Sequence, residues 1–246
     1  MRGQHVNREQ ESRDNDPGRE TLIQEGDAGK ACLQLRLFRL LIRSIMQLLF
    51  RVKIIGLENV PSAPAIICAN HLGWTDPFLI LLFLPIEPRI YVLGERQVKE
   101  ISGFRTVMIN WMQIMVALER GKPREALRIM QGVLERGGSL LLFPEGHLGT
   151  KEGELLELQH GAAHLSVTAN VPLLPIGLTG TSALWVGRRL AVRIGKPIYP
   201  SNFEGESRDR VRLMTTKLDA SMRSLLPGDR QKGGRRVLQK WLTNLF

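Results

Sequence analysis

His71 and Asp76, five residues apart in Asn70-His71-Leu72-Gly73-Trp74-Thr75-Asp76-Pro77, are the residues of this chain best suited to moving a proton. A carboxylate held against one imidazole nitrogen fixes the tautomer and stabilises the imidazolium, leaving the other nitrogen as a general base. Such a base contributes on the order of 10² to 10⁴ in rate. No serine or cysteine stands beside the pair as an evident nucleophile, so the group it activates is a substrate hydroxyl or water. The same residues also suit a purely structural use, because Asp76 ahead of Pro77 is a good N-cap for the apolar stretch Phe78 to Leu84.

A second loop, Phe143-Pro144-Glu145-Gly146, ends a buried apolar run in a turn. There a carboxylate can accept hydrogen bonds from a polyol and exposed backbone amides can meet an oxyanion; a plain strand-ending turn has the same composition. His160 and His164 lie one helical turn apart and can be grouped with His147, but no cysteine or carboxylate completes a metal-binding set, so no metal is expected. Cys32 and Cys68 are too few for a disulfide framework and fit a reducing compartment. Trp74 serves equally well as a lid over the loop or as packing within it.

The elements that must carry these loops read as strands alternating with helices. Apolar runs at Ala65–Cys68, Arg89–Leu93, Met115–Leu118, Leu140–Phe143, Leu173–Leu178 and Ala191–Ile194 read as buried strands. Helical periodicity follows Pro123, ending near Gly137-Gly138, and recurs from Glu206 to Leu226. The expected fold is α/β, a mixed and largely parallel sheet with helices on both faces and the functional groups just past the strand ends.

Charge and hydropathy divide the 246 residues further. Residues 1–30 are polar, hold five basic and seven acidic groups, and read as a disordered leader rather than a signal peptide. Residues 31–51 change to leucine and arginine, with Arg39, Arg43, Gln47 and Arg51 spaced by four and Arg36 three before them. That is a basic amphipathic helix, whose arginines would each cost roughly 2.5 to 3.5 kcal/mol at a bilayer centre, so lying in the interface is favoured over spanning. Residues 52–228 form the expected catalytic domain. Residues 229–246 make a second basic amphipathic stretch with Leu238, Trp241, Leu242 and Leu245 on one face. The net charge of +10 points to an anionic partner. Nucleic acid is disfavoured, because no helix-turn-helix, zinc-finger or RNP-like pattern is present and the basic residues interleave with leucine rather than with stacking aromatics.

In chain order, Asn70-His71-x4-Asp76, Glu119-Arg120-Gly121, Phe143-Pro144-Glu145-Gly146 and Val171-Pro172-Leu173-Leu174-Pro175 resemble the four motif blocks of the glycerolipid acyltransferases, best known as 1-acyl-sn-glycerol-3-phosphate (lysophosphatidic acid) acyltransferases. Gly153-Glu154-Leu155-Leu156 through Gly161-Ala162-Ala163 is similar to that family's helix between the third and fourth blocks. The resemblance implies transfer of a fatty acyl group from acyl-CoA or acyl carrier protein to the free hydroxyl of a lysolipid, in phospholipid biosynthesis or remodelling, with no cofactor besides the thioester co-substrate. It implies His71 as base and Asp76 as its orienting carboxylate. Arg120 takes the place of a phosphate-binding arginine, Glu145 and Gly146 that of the acceptor site, and Asn70, Pro144 and Pro172 are supporting positions in the blocks. Where the family's third block continues with threonine and arginine, this chain has His147 and Leu148. Either Arg120, Lys151, Arg96 and Lys99 compensate, or the acceptor lacks a phosphomonoester. Because both substrates collect at a bilayer, the helix at 31–51 gains a purpose: peripheral or monotopic attachment at the cytoplasmic face of a membrane. A lipid hydrolase in which His71 activates water, and a catalytically silent lipid-binding protein, are the alternatives at this stage.

Overall fold

The computed structural model describes residues 29–95, 115–118 and 121–226. Residues 1–28 of the leader expected at 1–30, and the stretch expected as an amphipathic tail at 229–246, lie outside the described residues. In chain order the elements are helix α1 (Leu33–Leu49), strands β1 (Arg51–Ile55) and β2 (Ile66–Ala69), helix α2 (Thr75–Phe83), strands β3 (Ile90–Glu95) and β4 (Met115–Leu118), helix α3 (Pro123–Glu135), strand β5 (Ser139–Leu142), helix α4 (Gly161–Ala169), strands β6 (Leu173–Thr179) and β7 (Arg189–Ile194), and helix α5 (Ser207–Leu225).

The strands make one seven-stranded sheet in the order β1-β7-β6-β2-β5-β3-β4. From β6 to β4 all neighbours are parallel, whereas β7 runs antiparallel to β6 and parallel to β1. The sheet is therefore mixed and largely parallel, as its sequence pattern suggests. Side chains of the central strands alternate between two cores, as the two-residue period of a strand requires. Ile66, Cys68, Leu140 and Leu173 join α3, α4 and α5 on one face, while Ile67, Ala69, Leu141, Leu174 and Ile176 join α1 and α2 on the other.

Several expected boundaries shift. The helix at 31–51 ends at Leu49, and Arg51 instead opens an edge strand, paired with Arg189 of β7, that the sequence pattern did not separate from the helix. Arg51 continues the four-residue basic spacing of α1, so periodicity alone runs on past the break. The segment Gly153–Gln159 is irregular rather than helical, and α4 begins only at Gly161. Its amides are committed elsewhere: Leu156 N–H donates to Glu145 Oε2 at 2.8 Å and Gln159 N–H to the Pro144 carbonyl at 2.8 Å, which removes the i−4 bonding a helix needs.

Three stripes run along α1. Leu35, Phe38, Ile42, Met46 and Leu49 pack inward; Leu33, Leu37, Leu40, Leu41, Ile45 and Leu48 are exposed. Between the two apolar stripes runs the row Arg36, Arg39 and Arg43. These arginines contact protein: Arg36 pairs with Glu87, Arg39 donates to the carbonyls of Leu82 and Leu84, and Arg43 lies over the Phe83 ring at 5.2 Å. Burial, reinforced by repulsion from Arg43, lowers the Arg39 pKa. An interfacial helix would turn these arginines toward lipid headgroups; in the fold their partners are on α2 and the loop after it, and the outermost stripe of α1 is apolar, mostly leucine.

Candidate active site

β2 delivers the histidine loop to the C-terminal end of the parallel part of the sheet. At its exit Asn70 is fully buried, and its side chain behaves as one more rung of the ladder: Nδ2–H donates to the Leu178 carbonyl at 3.1 Å and Leu178 N–H donates to Oδ1 at 2.7 Å. The chain can therefore leave the sheet at this point without orphaning the β6 backbone. His71 follows, partly exposed.

His71 Nδ1 lies 2.9 Å from Asp76 Oδ2, and the same oxygen accepts the backbone N–H groups of Leu72 at 2.5 Å and Gly73 at 2.8 Å. The Asp76 side chain is fully buried while that of His71 is 26% exposed. Asp76 is not the N-cap of α2. The helix starts at Thr75 after Trp74, and Asp76 sits within its first turn and reaches back over the loop. Of the two uses the spacing suggests, the N-cap is not made, and the carboxylate that holds the imidazole also closes the turn. An anion at this point is also favoured by the helix N-terminus. With Nδ1 committed to Asp76, Nε2 is the nitrogen available to take a proton.

The imidazole lies flat against Phe143 at the end of β5, with ring centroids 4.0 Å apart and planes 16° from parallel. The next residues bring the second loop onto the first. Glu145 is buried, and both carboxylate oxygens receive backbone amides: Oε1 from His71 N–H at 3.0 Å, Oε2 from Leu156 N–H at 2.8 Å. Gly149 N–H donates to the His71 carbonyl at 2.7 Å. Glu145 is thus a brace between the histidine loop and the 145–156 segment. Gly146 has a φ of +72°, and a Cβ there would lie 2.7 Å from Gln159 Nε2, so any side chain would strain the turn and push Gln159 away.

The remaining expected site residues are placed as follows. Pro144 and Pro172 are buried and contribute carbonyls, to Gln159 N–H and to Ile66 N–H at 2.9 Å. Lys151 is exposed and paired with Glu154; His147 and Leu148 are exposed on the turn beside the histidine loop. Arg96, Lys99 and Arg120 lie outside the described residues. Among the described residues, no group of three or more His, Cys, Asp or Glu is arranged to hold a metal, and His160 instead bonds Thr215 Oγ1 at 3.0 Å. Cys68, three residues before His71, is no alternative nucleophile: it points into the core, and burial pushes its thiol far above the ordinary range. A hollow of about 340 Å³ lined by Gly153, Glu154, Leu155, Arg223 and Leu226 shares no residue with the histidine loop.

Three contacts around His71 were not anticipated from the sequence: the Phe143 stack, the Glu145 brace, and the approach of the β6–β7 loop, whose Thr181 carbonyl would lie 3.1 Å from a Cβ on Gly73. Phe143 and Glu145 stood in a motif already singled out. The loop carried no local signal.

Known proteins resemble this chain in both sequence and fold. A family model described as Acyltransferase matches residues 51–179. A 1-acyl-sn-glycerol-3-phosphate acyltransferase of Saccharomyces cerevisiae is 29% identical over 180 residues, covering 65% of this chain and 57% of that protein. A protein of the same name from Pseudomonas aeruginosa is 31% identical over 133 residues, covering 51% of this chain and 48% of its own length. The chain thus spans about half the length of these relatives. In fold it resembles the crystal structure of the 1-acyl-sn-glycerophosphate acyltransferase of Thermotoga maritima, with a TM-score of 0.62, 21% identity and 81% of each chain covered.

Proposed function

This chain belongs to the acyltransferase family, and from that premise we propose that it transfers a fatty acyl group from a thioester to the free hydroxyl of a lysolipid such as 1-acyl-glycerol-3-phosphate, with His71 as general base. The observation that carries the reading is the His71–Asp76 pair at the mouth of the parallel sheet, with Nδ1 committed and Nε2 left for the substrate. Nε2 takes the proton of the acceptor hydroxyl as its oxygen attacks the thioester carbonyl. The tetrahedral oxyanion collapses with loss of the thiolate, which recovers that proton from the imidazolium. Asp76 stabilises the imidazolium between these steps. The balance needs neither metal nor redox partner, and the co-substrate is acyl-CoA or acyl carrier protein.

Arg120 is the proposed phosphate contact for the acceptor, its guanidinium fork matching phosphate oxygens. Glu145 shapes the acceptor site by holding the His71 backbone, and Gly146 by allowing the turn. Attachment at the cytoplasmic face of a membrane is part of this proposal; the exposed leucine stripe of α1 supports contact with a membrane surface, because apolar area buried at a lipid interface returns about 25 cal/mol per Å². No helix among the described residues is long and apolar enough to cross a bilayer.

The test is an assay on anionic vesicles with labelled acyl-CoA and acyl carrier protein against a panel of lysolipids, comparing the protein with His71→Ala. Transfer that falls by about 10² to 10⁴ in His71→Ala is the expected result. Release of free fatty acid without consumption of lysolipid would replace the reading with a hydrolase, and absence of either product would refute catalysis.

A further inference from the structure

The loop joining β6 to β7, residues 180–188, belongs to none of the motif blocks, yet it touches three parts of the molecule. At one end Gly187 N–H donates to the Leu49 carbonyl at 2.7 Å, the last residue of α1, and the Arg188 carbonyl accepts Arg51 N–H at 2.8 Å. At the other end the Thr181 carbonyl crowds Gly73 in the turn that Asp76 closes around His71. Between them stands a largely buried ion pair. Glu152 Oε2 lies 2.8 Å from Arg188 Nη2 and accepts the Ser182 hydroxyl at 2.6 Å, while Oε1 accepts Gly180 N–H. Arg188 Nε–H donates to the Gly180 carbonyl at 3.1 Å, and its guanidinium covers the Trp185 ring at 4.1 Å.

Burying an arginine–glutamate pair adds little to stability on balance, because desolvation offsets most of the attraction. Here the pair does something a hydrophobic replacement cannot: its hydrogen bonds fix both ends of one loop, at Gly180 and at Arg188, from a single carboxylate anchored in the segment after the second catalytic loop. We infer that Glu152 and Arg188 are positioning residues of the acyl transfer, pinning the 180–188 loop so that the end of α1 and the His71 turn keep one fixed relation. The inference rests on the proposed acyltransferase reading. Its consequence is geometric. The loop ties the helix that would lie against lipid to the turn that holds the base, and displacement of a reacting group by about 1 Å can cost up to 10²-fold in rate.

The experiment measures kcat, acceptor KM, vesicle binding and thermal midpoint for Arg188→Met, Arg188→Lys, Glu152→Gln and Ser182→Ala, all on the full chain, with His71→Ala in parallel. Arg188→Met and Glu152→Gln are expected to lose about 10- to 100-fold in kcat at temperatures well below their midpoints, with acceptor KM and vesicle binding held within about twofold. Arg188→Lys keeps the charge but not the two-ended bonding and is expected to recover part of the loss. Ser182→Ala, at an exposed position that cannot unfold the domain, is expected to lose about two- to threefold. His71-dependent transfer with wild-type kcat in Arg188→Met overturns the inference, as do losses that vanish once each variant is assayed well below its midpoint. Absence of His71-dependent transfer in the wild type defeats the acyltransferase reading instead, so the two failures are distinct.

Discussion

Around His71 the carboxylates are inside, and along α1 the leucines are outside. Ordinary folding places them the other way round, with acidic groups among the residues least often fully buried and large apolar side chains among the most often buried. Backbone amides occupy both oxygens of Glu145, and two amides and the imidazole converge on Asp76 Oδ2, while Asp76 Oδ1 is buried without a partner. Among the described residues no such compensation operates for Leu37, Leu40, Leu41 and Leu48, whose stripe faces outward beside an inner stripe that is already packed. One inversion is compensated almost entirely by local hydrogen bonds, and the other calls for something apolar beyond the described residues. That contrast separates a region built for geometry from a region built for contact.

The sharpest way to break the comparison is at Asp76. Asp76→Asn keeps the size but puts an amide where the carboxylate holds Nδ1, and a loss of about 10⁴-fold in kcat with the fold intact is expected by analogy with the triad aspartate. Near-normal turnover in steady-state assays would mean that the buried carboxylate only closes the turn. Next in size, Glu145→Ala strands two part-buried backbone N–H groups, each costing up to about 1 to 3 kcal/mol, so the urea midpoint should fall. An unchanged midpoint would show that the brace is dispensable. On the other side of the comparison, Leu40→Ser with Leu48→Ser should weaken vesicle binding by on the order of 10²-fold while leaving the thermal midpoint within a few degrees, since neither side chain is part of the core. Equal vesicle binding by sedimentation would remove the contact role from that stripe. The smallest effect is expected at Arg36→Ala, which breaks an exposed pair with Glu87 and should cost less than about 1 kcal/mol in stability.

How much of this was legible beforehand depends on whether the interaction is local. His71 and Asp76 are five residues apart, and one turn brings them together, so spacing and residue type sufficed. Strands β2 to β7 were readable because each contains a short apolar run, and β2 and β6 are buried along their whole length, whereas β1 was hidden by the basic spacing it continues. Glu145 is different: its partner amides belong to His71, 74 residues away, and Leu156, so a carboxylate in a turn looked solvent-facing when it is internal. Glu152 and Arg188 are 36 residues apart and neither stands in a recognisable pattern. The basic row of α1 was visible as periodicity, but whether it faces lipid or protein depends on α2 and the segment after it, to which Arg36, Arg39 and Arg43 are committed.

Asn70 offers a way to watch the site without perturbing it. Because the Leu178 amide is bonded to a side chain rather than to a neighbouring strand, its exchange with solvent deuterium reports on whether the histidine loop is docked, independently of the strand ladder around it. This probe is bonded to the residue next to the base yet lies on a different strand and outside the chemistry, so it can time the opening of the loop in the resting protein and again under saturating substrate.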